Sequence, residues 1–212
     1  MADIAIIDYG MGNVHSVYKA LLKVVPKNSK LKITKKLSEI NKSSHVVFPG
    51  QGAAHECMKS ISENFNINDF KTIIHNKPFL GICMGLQVLM TSSQENNGLK
   101  CLNIIDGKAL SIKNAIDKNY KVPHMGWNVV KQVKEHPVWN SIPDDSFFYF
   151  VHSYYVQPED KSTLLATTKY DISFASAIYK ENIIAVQFHP EKSSLSGLKL
   201  LENFINWDGQ NL

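Results

Sequence analysis

Arginine is missing altogether: all 23 basic side chains are lysine, against 19 acidic ones, for a formal charge of +4. The side chain that reads guanine bidentately is therefore unavailable, and so mild a balance fits a solvated surface better than a nucleic-acid reader. Cysteine is scarce and odd in number. Cys57, Cys83 and Cys101 form no CxxC pair and no histidine stands at zinc-finger spacing, which excludes a disulfide scaffold and a zinc ribbon. No apolar run reaches the roughly 18 residues needed to span a bilayer. The opening MADIAIIDYGMG lacks the basic and long apolar regions of a secretion signal, so the cytoplasm is expected. Repeats and low-complexity tracts are absent as well.

What is present is ordinary globular chemistry, 44% hydrophobic and 20% charged, which argues against disorder. A chain of 212 residues buries roughly 70% of its unfolded surface, and with no linker in sight a single domain over 1–212 is expected. The first half alternates β-rich runs with helical patterns, the mark of parallel strands joined by crossover helices. Strands are predicted at Ile4 to Asp8, Leu31 to Thr34, His45 to Phe48 and Lys77 to Ile82. Helices are predicted at Asn13 to Lys23, with Asn13 as N-cap, at Asp69 to His75 and at Met84 to Met90. From Leu102 the pattern turns to successive β runs, Gly107 to Ile112, Trp127 to Val133, Phe147 to Val151, Thr163 to Thr168, Phe174 to Tyr179 and Ile183 to Phe188, read as an antiparallel extension. A helix over Leu195 to Trp207 covers the sheet. The fold class is α/β, with a mainly parallel central sheet, helices on both faces and added antiparallel strands.

The sharpest local signal is KPFLGICMGLQ, where an apolar strand runs through Gly81-Ile82-Cys83-Met84-Gly85 into a helix. This is a cysteine form of the G-x-S-x-G nucleophile elbow. A β-carbon at Gly81 or Gly85 would strike neighbouring backbone, and the strained turn is expected to push the thiol into solvent. At a helix amino terminus the unpaired N–H groups favour thiolate over thiol. Cys57 and Cys101 lack flanking glycine pairs and read as buried small hydrophobes.

A cysteine nucleophile needs a base and a group to orient it. Of the eight histidines, His189 stands out because it ends the apolar run Ile183 to Phe188 and is followed by Pro190 and Glu191. In extended backbone, residues two apart share a side, so Glu191 can hold the His189 ring; a solvated strand end is the competing reading. Both Cys83 and His189 fall at carboxyl ends of predicted strands, where sites in open α/β sheets gather. His15, His45, His55, His75 and His136 read as structural or surface residues. Pro49-Gly50-Gln51-Gly52, after a strand, offers backbone N–H groups to a developing oxyanion or is simply a turn. Asp8-Tyr9-Gly10-Met11-Gly12-Asn13 lacks the third glycine of a dinucleotide loop and reads as a tight turn into a helix. No pattern calls for a metal or a cofactor.

Taken in order, PGQG, GICMGLQ and HPEKS resemble the class I glutamine amidotransferases. DYGMGN, PHMGWN from Pro123, FVHSYY from Phe150 and HPEKS from His189 are similar, within that family, to the branch that delivers ammonia to a cyclase in histidine biosynthesis. The resemblance spans nearly the whole chain. It implies that Cys83 attacks the glutamine side-chain amide to form a glutamyl thioester, with His189 carrying the proton to ammonia and Glu191 orienting His189. It places Gly50, Gly52 and Gln87 around the substrate, Gln51 and Met84 as oxyanion donors, and Glu95 and Ser153 at the ammonium and carboxylate ends of the amino acid. It implies a heterodimer with a (β/α)₈ cyclase partner, in which Asn13, Trp127, Tyr149 and Lys192 lie at the interface and ammonia exit. Gln51 departs from the valine common in that loop. A different acceptor, such as a surface-sugar precursor, and a catalytically silent docking role are the alternatives; the intact Cys83, His189 and Glu191 speak against the second.

Overall fold

The computed structural model describes residues 3–210. In its first half β1 (Ile4–Ile7), α1 (Val14–Leu22), β2 (Leu31–Thr34), α2 (Leu37–Lys42), β3 (His45–Gly50), α3 (Ala54–Asn64), α4 (Ile67–Asn76), β4 (Phe79–Cys83) and the short α5 (Met84–Gln87) follow one another. Then come β5 (Met90–Ser93), β6 (Leu99–Lys100), β7 (Ile105–Ser111), β8 (His124–Gln132), β9 (Ser146–His152), β10 (Tyr154–Pro158), β11 (Leu164–Tyr170), β12 (Ile172–Lys180), β13 (Ile183–Val186) and α6 (Ser194–Asn206).

Strands apolar on both faces require cover on both faces. Ile4, Ile6, Val47, Leu80, Ile82, Ile184 and Val186 pack with α1 and α6, whereas Ala5, Ile7, Val46, Phe48, Phe79, Ile183 and Ala185 pack with α2, α3 and α4. Fully buried Leu201 and Phe204 of α6 contribute about 1.5–3 kcal/mol each by leaving water. The parallel strands lie in the order β2-β1-β3-β4-β13, and the sheet continues through β12, β10, β7, β5 and β6. From β13 to β10 the pairing is antiparallel, β7 and β5 are parallel, and β11, β8 and β9 branch from β12 as an antiparallel ribbon.

Two helix starts rest on asparagine. Asn13 Oδ1 accepts from Ser16 N at 3.3 Å, and Asn66 Oδ1 accepts from Asn68 N at 2.9 Å and Asp69 N at 3.3 Å. Asn66→Ala leaves α4 uncapped and is expected to lower stability by about 1 kcal/mol, read from the urea midpoint.

Several elements depart from the sequence pattern. The predicted helix Met84 to Met90 stops at Gln87, and Met90 opens β5. All seven of those residues are buried, so no amphipathic period marks the change. Helices α2 and α3 were not foreseen, although Ala54, Cys57 and Ile61 bury one stripe of α3. The segment from Ile183, read within the antiparallel series, is inserted into the parallel block: β13 pairs parallel with β4, with Ala185 opposite Gly81 and Val186 opposite Ile82. That pairing builds the site.

Candidate active site

Three adjacent strand ends meet at one edge. In the ladder Gly50 of β3 lies opposite Cys83 of β4, and Ile82 lies opposite Val186 of β13, so PGQG, GICMG and QFHPE converge. At Cys83 the backbone turns through φ 54° and ψ −102° directly into α5, a left-handed conformation that costs a non-glycine residue about 1–3 kcal/mol. The turn closes so tightly that a β-carbon on Gly85 would lie 2.3 Å from the Phe48 carbonyl oxygen and one on Gly81 2.9 Å from the Gly85 carbonyl oxygen.

The thiol is not pushed into solvent. Cys83 is 5% exposed and forms the floor of a cleft of about 880 Å³, because the β9–β10 junction folds over it. Its Sγ lies 3.9 Å from the Val151 carbonyl oxygen and 3.6 Å from Gln187 Nε2.

His189 reaches the cleft from the end of β13. Its backbone N–H donates to Tyr149 O at 2.9 Å, and buried Ser193 Oγ donates to His189 O at 2.6 Å while accepting from Tyr149 N at 3.0 Å. These bonds clamp the histidine to β9. Glu191 Oε1 lies 2.8 Å from His189 Nδ1. The expected extended geometry is corrected here: Pro190–Lys192 is a 3₁₀ turn, since proline presets the φ of a first helical position, and the turn swings Glu191 back under the ring. Nε2 is buried and has no hydrogen-bond partner among the described residues, while Cys83 lies near enough to act on the ring by its charge. Burial alone would lower the proton affinity of His189, but Cys83 and Glu191 outweigh it and raise the pKa to about 10.

The remaining predicted residues divide into three groups. Gln51, Gly52, Met84, Gln87, Glu95, Ser153 and Lys192 line the cleft with Cys83 and His189. Gly50 and Glu191 sit behind it. Gln87 Nε2 donates to Tyr154 O at 3.1 Å, leaving buried Oε1 without a partner among the described residues, and Glu95 Oε2 accepts from Ala54 N at 2.6 Å, serving α3 where a side-chain cap is lacking. Asn13 caps α1, and Trp127 and Tyr149 face each other on the outer side of β8 and β9, edge to face at 6.2 Å. Lys192 Nζ lies 5.7 Å from the Tyr149 ring centre, so Lys192 touches both the cleft and this face.

Residues 5–207 match the family Glutamine amidotransferase class-I. The chain belongs to that family. It is 46% identical over 207 residues, covering 98% of this chain and 97% of the relative, to Imidazole glycerol phosphate synthase subunit HisH of Hydrogenovibrio crunogenus. To the protein of the same name from Nitrosococcus oceani it is 48% identical over 210 residues and 99% of each chain. Among solved structures, PurLQS from Thermotoga maritima superposes with TM-score 0.70 at 16% identity, covering 97% of this chain and 99% of that one, a likeness of fold.

Within this class I amidotransferase, sequence reasoning missed Gln187 and Val151 beside the sulfur, Ser193 against the histidine, and His152, which lines the cleft. The only signal for Gln187 is its position four before Glu191, meaningless until β13 is laid beside β4. Among the described residues no cluster suited to a metal ion is present, and no helix is long and apolar enough to cross a membrane.

The raised pKa of His189 has a sign that can be checked. An imidazole that binds its proton more tightly folded than unfolded, where its pKa is about 6.5, adds stability fully present below that value and lost as pH rises through about 10. Glu191→Gln keeps an acceptor for Nδ1–H but removes the charge. It is expected to lower the His189 pKa, read by NMR titration of the imidazole, and to flatten the fall in stability between neutral pH and pH ~10.

Proposed function

We propose that this chain is the glutaminase subunit of imidazole glycerol phosphate synthase, a single domain that works in the cytoplasm and passes ammonia to a (β/α)₈ cyclase subunit for histidine biosynthesis. One observation carries the chemistry: His189 holds Glu191 on Nδ1 at 2.8 Å while its opposite nitrogen is left to Cys83. The full-length likeness to HisH proteins supports the pathway.

In this reading the Cys83 thiol proton passes to His189 and Sγ bonds to the side-chain amide carbon of glutamine. Backbone N–H groups of Gln51 and Met84 meet the oxyanion, each such donor being worth about 10²–10³ in rate. The C–N bond breaks as His189 returns the proton, ammonia leaves, and a thioester remains. Water attacks with His189 as base; its O–C bond forms, the C–S bond breaks with the pair returning to sulfur, and glutamate departs. Gln87 Oε1, Glu95 and Ser153 hold the amino-acid end of the substrate.

The partner's seat is the outer face of β8 and β9. Met125, Trp127 and Phe147 are 62%, 52% and 57% exposed there, with Tyr149 and Lys192 alongside, an apolar patch that wants cover. The deciding experiment mixes the chain with a histidine-pathway cyclase and its nucleotide substrate and measures glutamate release. Strong stimulation is expected. Trp127→Ala should weaken the complex roughly thirtyfold, as truncating a central aromatic anchor does. Glutamine turnover indifferent to the loaded cyclase would remove the pathway assignment and leave another acceptor.

A further inference from the structure

Gln187 is 0% exposed and sits beside the nucleophile because β13 runs parallel to β4. The direction in which its amide points follows from its neighbours. The Tyr154 carbonyl can only accept, so the Gln87 atom 3.1 Å from it is the NH₂ group. The second N–H of that group meets Gln187 Oε1 at 3.4 Å, which turns the NH₂ of Gln187 to Cys83 Sγ at 3.6 Å. Reversing Gln187 would set two donors against each other and a carbonyl against the sulfur.

Tyr154 O is itself held. His152 Nδ1 lies 2.8 Å from it, His152 Nε2 lies 2.8 Å from His124 Nδ1, and Asn128 Nδ2 lies 3.2 Å from His124 Nε2. Burial keeps both imidazoles neutral, pushing His124 down to about 4 and His152 to about 3. Neutral rings can be satisfied in one sense only, with Asn128 donating to His124, His124 to His152, and His152 to the carbonyl. The chain of donors holds the Tyr154 carbonyl, that carbonyl fixes Gln87, and Gln87 fixes Gln187.

The sulfur's other neighbour behaves differently. A protonated thiol can donate to Val151 O, but once the proton has gone to His189 that carbonyl repels the anion. An amide N–H binds sulfur in either form and more strongly when it is charged. We propose that Gln187 is a further catalytic residue, whose side-chain N–H steadies the Cys83 sulfur whenever it is anionic: before it bonds to the glutamine amide carbon, and again when water splits the C–S bond and the pair returns to sulfur. This rests on Cys83 being the nucleophile.

The test is alkylation of the full chain by iodoacetamide at pH 7, read by mass spectrometry of the Cys83 peptide. Gln187→Met fills the space without a donor, and Gln187→Glu keeps the shape with no N–H. Both are expected to slow alkylation tenfold or more, roughly the loss of one hydrogen bond to a charged group, and with the cyclase present to lower kcat while KM for glutamine moves little. Wild-type rates in both folded variants would overturn the proposal and leave the nucleophile standing; an unreactive wild-type Cys83 would overturn both. Should the variants not fold, the side-chain N–H resonance of Gln187 in the wild type decides: it is expected to move in Cys83→Ala, and an unmoved resonance overturns the assignment.

Discussion

Replacing Cys83 by alanine is expected to end ammonia release from glutamine, a loss on the order of 10⁶ in kcat, as on removing the nucleophile of a serine protease. Ammonium salts supplied from solution should still support the cyclase, since Cys83 is buried on the floor of the cleft and the face proposed for docking is the outer side of β8 and β9. Glutamate release and synthase activity with ammonium, measured on one preparation, check both halves. Stability runs the other way. Cys83 is held at φ 54°, so Cys83→Ala keeps the strain whereas Cys83→Gly releases it, and the glycine variant is expected to melt higher than the alanine one although both are inactive. A higher melting point for alanine would show that the elbow is not strained.

The second large effect is expected at Gly197, where α6 leans on the turn Pro190–Lys192. A β-carbon there would lie 2.0 Å from the Pro190 carbonyl oxygen. Helix propensity favours alanine by about 0.8–1.0 kcal/mol, while overpacking against backbone costs about 1–3 kcal/mol and more when nothing can yield. Here both sides are tied, because Ser193 and Tyr149 clamp His189. Gly197→Ala should therefore lower stability by about 2 kcal/mol net and push His189 and Glu191 away from Cys83. A displacement of about 1 Å at reacting groups costs about 10² in rate, so kcat should fall about a hundredfold. A denaturation curve and a glutamine assay read the two consequences; a variant more stable than the parent would mean that the turn moves freely.

Legibility differed from one element to another for physical reasons. The elbow could be read from KPFLGICMGLQ because close approach demands glycine at fixed offsets, and Gly81 and Gly85 do lie against backbone. The pair His189 and Glu191 could be named but its geometry could not, since a 3₁₀ turn and an extended strand end both allow contact. The helix α3 escaped notice because Ala54 and Cys57 are weak markers of a buried stripe. Trp127 was placed at an interface by resemblance alone; strand alternation sets Val130 inward and Trp127 outward on β8, and half of its surface is exposed.

Local order along the chain was enough to specify the cysteine turn, the helix start capped by Asn13 and the run of apolar strands, because each depends on sterics or hydrogen bonds within a few residues. Which strands lie side by side was not local. Only the folded sheet, by slipping β13 between β4 and β12, set Gln187 beside the sulfur and His189 above it; parallel register is chosen by burial on both faces at once, and no short stretch of sequence contains that choice.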